Sequence, residues 1–343
     1  MNYKMHNKIR DLAEKHSGFF IAFVFILIIL SLIFFPNVLF SEIPFLTICC
    51  FFLVSTIGIS HGSLDNIKGE KLLKIYKIKN KYFFYLAYIF LACVVIIVWN
   101  FLPSFALIVF LLVAAYHFGK EDTQLFLETN YVKQGVTLYG KNNYFFILFK
   151  GLLVITAPLF FHYEETVNIF KILDSNFSLH KDFINIFFAI CIYSHFHFDF
   201  ISRVPAYESG ANLIDGGSIL LLNYFFPPLI AFTLYFCFLH SVRHSITLIT
   251  TLDKKNFKKG TQLFIKKALP LTIITAVLFL IAVTFLSNSY EKNESILKVI
   301  FIGLASLTFP HILLEYLIEK KWKLMLILFL IGKKWKIKKL KYF

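Results

Sequence analysis

The pair His240-x-x-x-His244 sits inside an apolar run that continues from Pro228 to Thr251. Residues four apart on a helix project from one face, so both imidazoles can reach a single metal ion. The same spacing also suits two core histidines bonded to backbone or to each other. Five more of the eleven histidines, His61, His117, His195, His197 and His311, fall in or at the ends of apolar runs. Ionisable side chains are costly in hydrocarbon, so such residues face a bundle interior and by default mark function.

Acids accompany these histidines. In Gly58-Ile59-Ser60-His61-Gly62-Ser63-Leu64-Asp65, the carboxylate follows His61 by four residues. On a continuing helix it can accept a hydrogen bond from the ring nitrogen that does not touch a metal. The stretch also reads as a helix end, with Gly62 as terminator and Asp65 capping the next turn. His117-Phe118-Gly119-Lys120-Glu121-Asp122 repeats the order histidine, glycine, acid, and gives Asp122 the same supporting position. His311 follows Pro310 and precedes Glu315 by four residues, as a fifth ligand or a support for the others. His195-x-His197 cannot place both rings on one helix face, so one lines the site and the other snorkels to the interface, and neither is a first-choice ligand. Arg243 lies on another face from its flanking histidines and reads as an ion-pair partner for an acid.

A set of four neutral imidazoles suits iron, copper or zinc, and no carboxylate-rich motif argues for magnesium or calcium. The H-E-x-x-H of zinc hydrolases is absent. Buried iron with open coordination positions is a site for O₂ chemistry on an apolar substrate, and the bilayer is where an oily molecule concentrates.

The elements that carry these residues must span a membrane. The chain has 343 residues, is 58% hydrophobic and only 16% charged, far outside the range of water-soluble domains. Five Cys lie in or beside apolar runs without a C-x-x-C pair, which argues against a disulfide framework or a cysteine zinc site. The net charge of +15 comes from Lys clusters between apolar runs, the positive-inside pattern, and no nucleic-acid motif is present.

Apolar runs predict ten helices, near 19–36, 44–61, 82–100, 104–119, 144–161, 183–201, 211–226, 228–251, 268–287 and 296–318. Segment 211–226 is short, starts polar and is parted from the next only by Pro227-Pro228. Accepting that break puts the clusters 4–15, 68–81 and 254–267 and the tail after Lys320 on one side, which makes both termini cytoplasmic. This gives an all-α polytopic bundle over 19–318, with a cytoplasmic tail at 1–18 and a basic one at 319–343, in the cytoplasmic membrane. Leu324 to Ile331 is too short to span and reads as interfacial or irregular. At about 1.5 Å per residue, His240 and His244 lie roughly 18 and 24 Å along their span. All seven intramembrane histidines then fall in the cytoplasmic half, a shared depth that scattered core histidines would not show.

The ordered set His61-Gly62-Ser63-Leu64-Asp65, His117-Phe118-Gly119-Lys120-Glu121-Asp122, Leu239-His240-Ser241-Val242-Arg243-His244 and Pro310-His311 resembles the Brp/Blh family of bacteriorhodopsin-related membrane carotenoid oxygenases. The resemblance covers about residues 50 to 318, and Ser60 departs from it, standing where Pro is expected. It implies a dioxygenase that cleaves β-carotene at its central 15,15′ double bond with O₂ into two all-trans retinals. It implies Fe(2+) held by His61, His117, His240 and His244, with Asp65, Asp122, His197 and His311 as supports or an extra ligand. The implied partners are the carotenoid, O₂, the bilayer and a microbial rhodopsin as retinal acceptor. Tyr116, Phe118 and Tyr235 are candidates to clamp the polyene. The alternatives are an intramembrane transporter or a haem-binding membrane protein. A transporter would need acids at mid-membrane, whereas these acids cluster at helix ends.

Overall fold

The computed structural model describes residues 3–34, 44–134, 143–201 and 206–331. Thirteen α-helices, and no strand, occur among them. In order they are α1 (Tyr3–Phe34), α2 (Pro44–Leu53), α3 (Asp65–Ile75), α4 (Tyr82–Phe101), α5 (Pro103–Gln134), α6 (Asn143–Phe161) and α7 (Tyr163–Leu173). There follow α8 (Lys181–Ile201), α9 (Ala206–Phe225), α10 (Pro228–Leu234), α11 (Val242–Leu252), α12 (Phe257–Leu286) and α13 (Lys292–Ile331). Hydrocarbon offers no partner for backbone N–H and C=O groups, so a helix, which satisfies its own, is the element such apolar runs must form.

Seven helical stretches are long and apolar enough to cross a membrane: Asp11–Phe34, Phe45–Ile75, Tyr82–Phe101, Pro103–Thr123, Pro228–Leu252, Phe257–Leu286 and Lys292–Glu319. An eighth arises if α6 and α7, bent by 114° at His162, form one broken span. Pro158 lies inside α6, and Thr166 Oγ1 donates to the carbonyls of Pro158 (2.9 Å) and His162 (2.7 Å), which supplies partners at the break. The expected segments 183–201 and 211–226 are helices too, but they fall outside that set of seven. Pro227 is extended and separates α9 from α10 at the expected place. Large apolar side chains such as Phe25, Ile29, Phe83, Leu86, Ile97, Ile273 and Ile281 are exposed along α1, α4 and α12. Water would not tolerate so much apolar surface, and lipid requires it.

Both terminal segments are helical where described. The segment Leu324 to Ile331 continues α13, because no Gly or Pro intervenes between Pro310 and Gly332 and its residues favour helix. Likewise α1 begins at Tyr3, inside the stretch read as an N-terminal tail.

Inside the bundle, α5 packs along α6, α6 against α8, α13 against α4, α1 against α9 and α11 against α12. The α5–α6 crossing rests on two facing glycines. A Cβ on Gly119 would collide with the Ile147 carbonyl, and one on Gly151 with the Ala115 carbonyl. Small residues allow this backbone approach, which brings α5, carrying His117, deep into the bundle.

Candidate metal centre

Four histidines from three separated parts of the chain meet in the bundle. His117 comes from α5, His240 from the stretch that joins α10 to α11, His244 from the first turn of α11, and His311 from α13. All four are buried. The His117 ring centroid lies 5.2 Å from that of His240 and 5.2 Å from that of His311, and His244 lies 5.9 Å from His311.

A π-helical stretch, Tyr235–Ser241, delivers His240, and a second, Val54–Gly58, precedes His61. Such wide turns release carbonyls from the helix ladder and recur at functional sites. Here the Gly58 carbonyl accepts from Ser241 Oγ (2.9 Å), and the Phe238 carbonyl accepts from His16 Nε2 (2.9 Å). The two π segments pack together. Gly58 permits this contact, since a Cβ there would stand 2.5 Å from the Phe236 ring.

Each of three rings is tied through Nδ1 to its own carboxylate. His240 meets Asp122 at 3.0 Å, His244 meets Glu121 at 2.9 Å and His311 meets Asp65 at 2.7 Å. Nδ1 donates in each pair, which leaves Nε2 as the basic nitrogen and fixes the ring's orientation. The Nε2 atoms of all three are buried. The carboxylates are themselves held: Asp122 accepts from Tyr235 (2.6 Å) and Asp65 from Tyr88 (3.0 Å). Glu315 takes Lys68 at 2.6 Å and lies 3.7 Å from His311 Nε2. One ligand atom from each of His117, His311 and Glu315 falls within 4.8 Å of the others, and so do those of Glu121, His244 and Glu315. This donor set, imidazoles plus a carboxylate with supports behind them, fits a divalent transition metal such as iron.

Behind His240 lies a buried ion pair. Arg243, 1% exposed, reaches Asp215 by two bonds of 2.5 and 3.0 Å, Ser17 at 2.8 Å and the Asp122 carbonyl at 3.4 Å. The expected acidic partner of Arg243 is thus Asp215, on α9.

The sequence-predicted residues divide. His117, His240, His244, Asp122, Asp65 and His311 come together. The backbone of His61 opens a 3₁₀ turn, His61–Leu64, beside this cluster's supports, but its side chain lies outside the described residues. Asp65 starts α3 and holds His311. His197 is exposed and stacks on Tyr193 at 4.0 Å, away from the cluster, while His195 donates to the Asn212 carbonyl (3.1 Å). Tyr235, read as a polyene clamp, instead supports Asp122. Glu121, Tyr88 and Lys68 were not singled out by sequence. Glu121 lies four residues after His117, beside Asp122, and nothing in the local sequence of Tyr88 points to Asp65.

An apolar cavity reaches this centre. It is lined by Asp65, His117 and His311, and by Tyr88, Phe118 and Leu307 among others.

Fold and site define a class: a multi-helix membrane protein with a buried histidine–carboxylate centre open to an apolar cavity. A family profile described as β-carotene 15,15′-dioxygenase matches residues 52–319, and the chain belongs to that family. One relative, named β-carotene 15,15′-dioxygenase, from an uncultured marine bacterium (66A03), is 29% identical over 273 residues, covering 78% of this chain and 91% of the relative. No solved structure matches the chain.

Proposed function

We propose that this protein cleaves β-carotene at its central 15,15′ double bond, using one O₂ to give two molecules of all-trans retinal. The observation that carries this is the wall shared by the histidine centre and an apolar cavity: His117 and His311 belong to both. Family membership points to the same activity. The reaction balances, since one C=C bond breaks and each of its carbons takes one oxygen atom.

Iron(II) is the metal we assign. His117, His240 and His244 would hold it with His61, the set implied by resemblance, and we add His311 because its ring lies 5.2 Å from that of His117 and 5.9 Å from that of His244. Bound iron would supply the site at which O₂ becomes reactive toward a double bond. The chain does the rest. Asp122, Glu121 and Asp65 keep the Nδ1 proton of their rings in place, so Nε2 stays free of a proton. Phe118 and Phe236 present aromatic surface to the cavity beside His117. Apolar walls exclude water, which protects a reactive oxygen species from quenching. Fixing a long polyene in one position is what lets one bond react among many alike.

The site is proposed to lie in the cytoplasmic membrane, where the carotenoid dissolves, and the retinal to pass to a microbial rhodopsin. The test is expression in a bacterium that makes β-carotene. Orange cells should bleach as retinal accumulates, and His117→Ala and His244→Ala should abolish both. An unchanged carotenoid pool with wild-type protein in the membrane refutes the reading.

A further inference from the structure

Beside the cavity lined by His117 and His311 lies a second one that shares part of its wall, and the two differ in the exposure of their lining. The outer one runs from His117 and His311 to the cleft between α4 and α12. Three of its lining residues are more than half exposed: Ile89 at 60%, Ile274 at 55% and Leu278 at 57%. These face the lipid, so this cavity opens sideways into the bilayer. The inner one lies between α5, α6, α7, α10 and α13, lined by Phe110, Ala114, Val154, Pro158, Phe170 and Phe301 among others. None of its lining residues is exposed. Phe118, Phe236, Leu304 and Thr308 line both cavities and form a neck between them.

We infer that the two cavities are the arms of one substrate path: a lateral port between α4 and α12, and a blind inner arm that sets which double bond stops at the histidine centre. This rests on the proposed carotenoid cleavage. The argument is positional. Neighbouring double bonds of a polyene are nearly alike chemically, so location alone can select one. The port is open and cannot fix how far the chain slides. A closed end can. Its lining along α5 runs from Phe118 to Phe110, about 12 Å at about 1.5 Å per residue. It is also small, about 70 Å³ against about 290 Å³ outside, so a terminal ring enters it only as its walls yield. The lining is apolar throughout apart from Thr166 and Thr308, so it offers a polyene no polar competitor and stays dry.

The experiment uses the purified full-length chain, iron-loaded, with β-carotene and O₂, and mass analysis of every aldehyde formed. Val154→Phe shortens the inner arm, and Phe110→Ala deepens it. Ile274→Trp narrows the port. Shifting the polyene by one double bond should lower central cleavage about a hundredfold and raise pairs of unequal apocarotenals in both inner-arm variants. The port variant should slow turnover while retinal remains the product. Wild-type elution and iron content show that a variant is folded. Folded inner-arm variants that still give only retinal, at any rate, overturn the inference, including the case where only the dependence on O₂ changes and the arm is a gas cavity. Failure of the activity itself reads differently. Wild-type protein that retains carotenoid uncleaved sinks the proposed function alone, and the arm then stands or falls by whether Val154→Phe reduces the retained carotenoid.

Discussion

Replacing Asp122 by Asn removes one charge and changes no volume, yet it should disable the centre. Asp122 spends one carboxylate oxygen on His240 Nδ1 (3.0 Å) and the other on Tyr235 Oη (2.6 Å). Both partners donate, and both are buried. An amide offers one acceptor and one donor where two acceptors are required. If its NH₂ faces His240, the ring must move its proton to Nε2 and can no longer bind a metal through that atom. If it faces Tyr235, the phenol loses its acceptor in a dry site. Losing a hydrogen bond to a charged group costs about 1.5–3 kcal/mol. That corresponds to roughly a ten- to hundredfold weaker metal affinity, the range seen when such supporting residues are removed. The assay is iron retention against a graded chelator, followed by retinal formation at saturating iron. Adding Tyr235→Phe to Asp122→Asn frees the amide oxygen for His240 and should recover part of the affinity. Wild-type iron retention and retinal yield in Asp122→Asn would refute the coupling from Asp122 to His240.

Other expectations follow the same geometry. His311→Ala should lower bound iron and retinal output by about a hundredfold, as for a ligand, whereas His197→Ala, exposed and distant, should leave both within about twofold; element analysis and retinal chromatography decide. Asp215→Asn removes the carboxylate that pairs with buried Arg243 through two bonds and should cost about 3–5 kcal/mol, lowering the melting temperature in detergent. The double change Arg243→Met with Asp215→Leu removes both charges and should restore most of that loss. Gly119→Ala forces α5 and α6 apart at the Ile147 carbonyl, so it should reduce the folded fraction on size-exclusion chromatography and iron content together.

Much of this protein is determined by local chemistry that a sequence displays. Long apolar runs specify helices because hydrocarbon leaves the backbone no other partner, and the Pro227-Pro228 break falls where it must. Histidines in those runs, with His61, His117 and His311 each followed four residues on by an acid, pointed to a metal centre because charge in a membrane interior needs a purpose. The tertiary structure decided what helical periodicity cannot express. Spacing points from Asp65 only to His61, four residues away, and gives no hint that Asp65 also holds His311, 246 residues on, which it does because α3 and α13 pack together. Depth along a span grouped His195 and His197 with the rest, but depth does not say which way a ring faces, and α8 turns His197 outward onto Tyr193. Two π turns, invisible in an apolar pattern, set the path of the chain at His240, and a second cavity exists only because five helices converge without filling the space between them. Contacts between residues far apart in sequence are fixed by packing, and packing is a property of the whole bundle rather than of any one run.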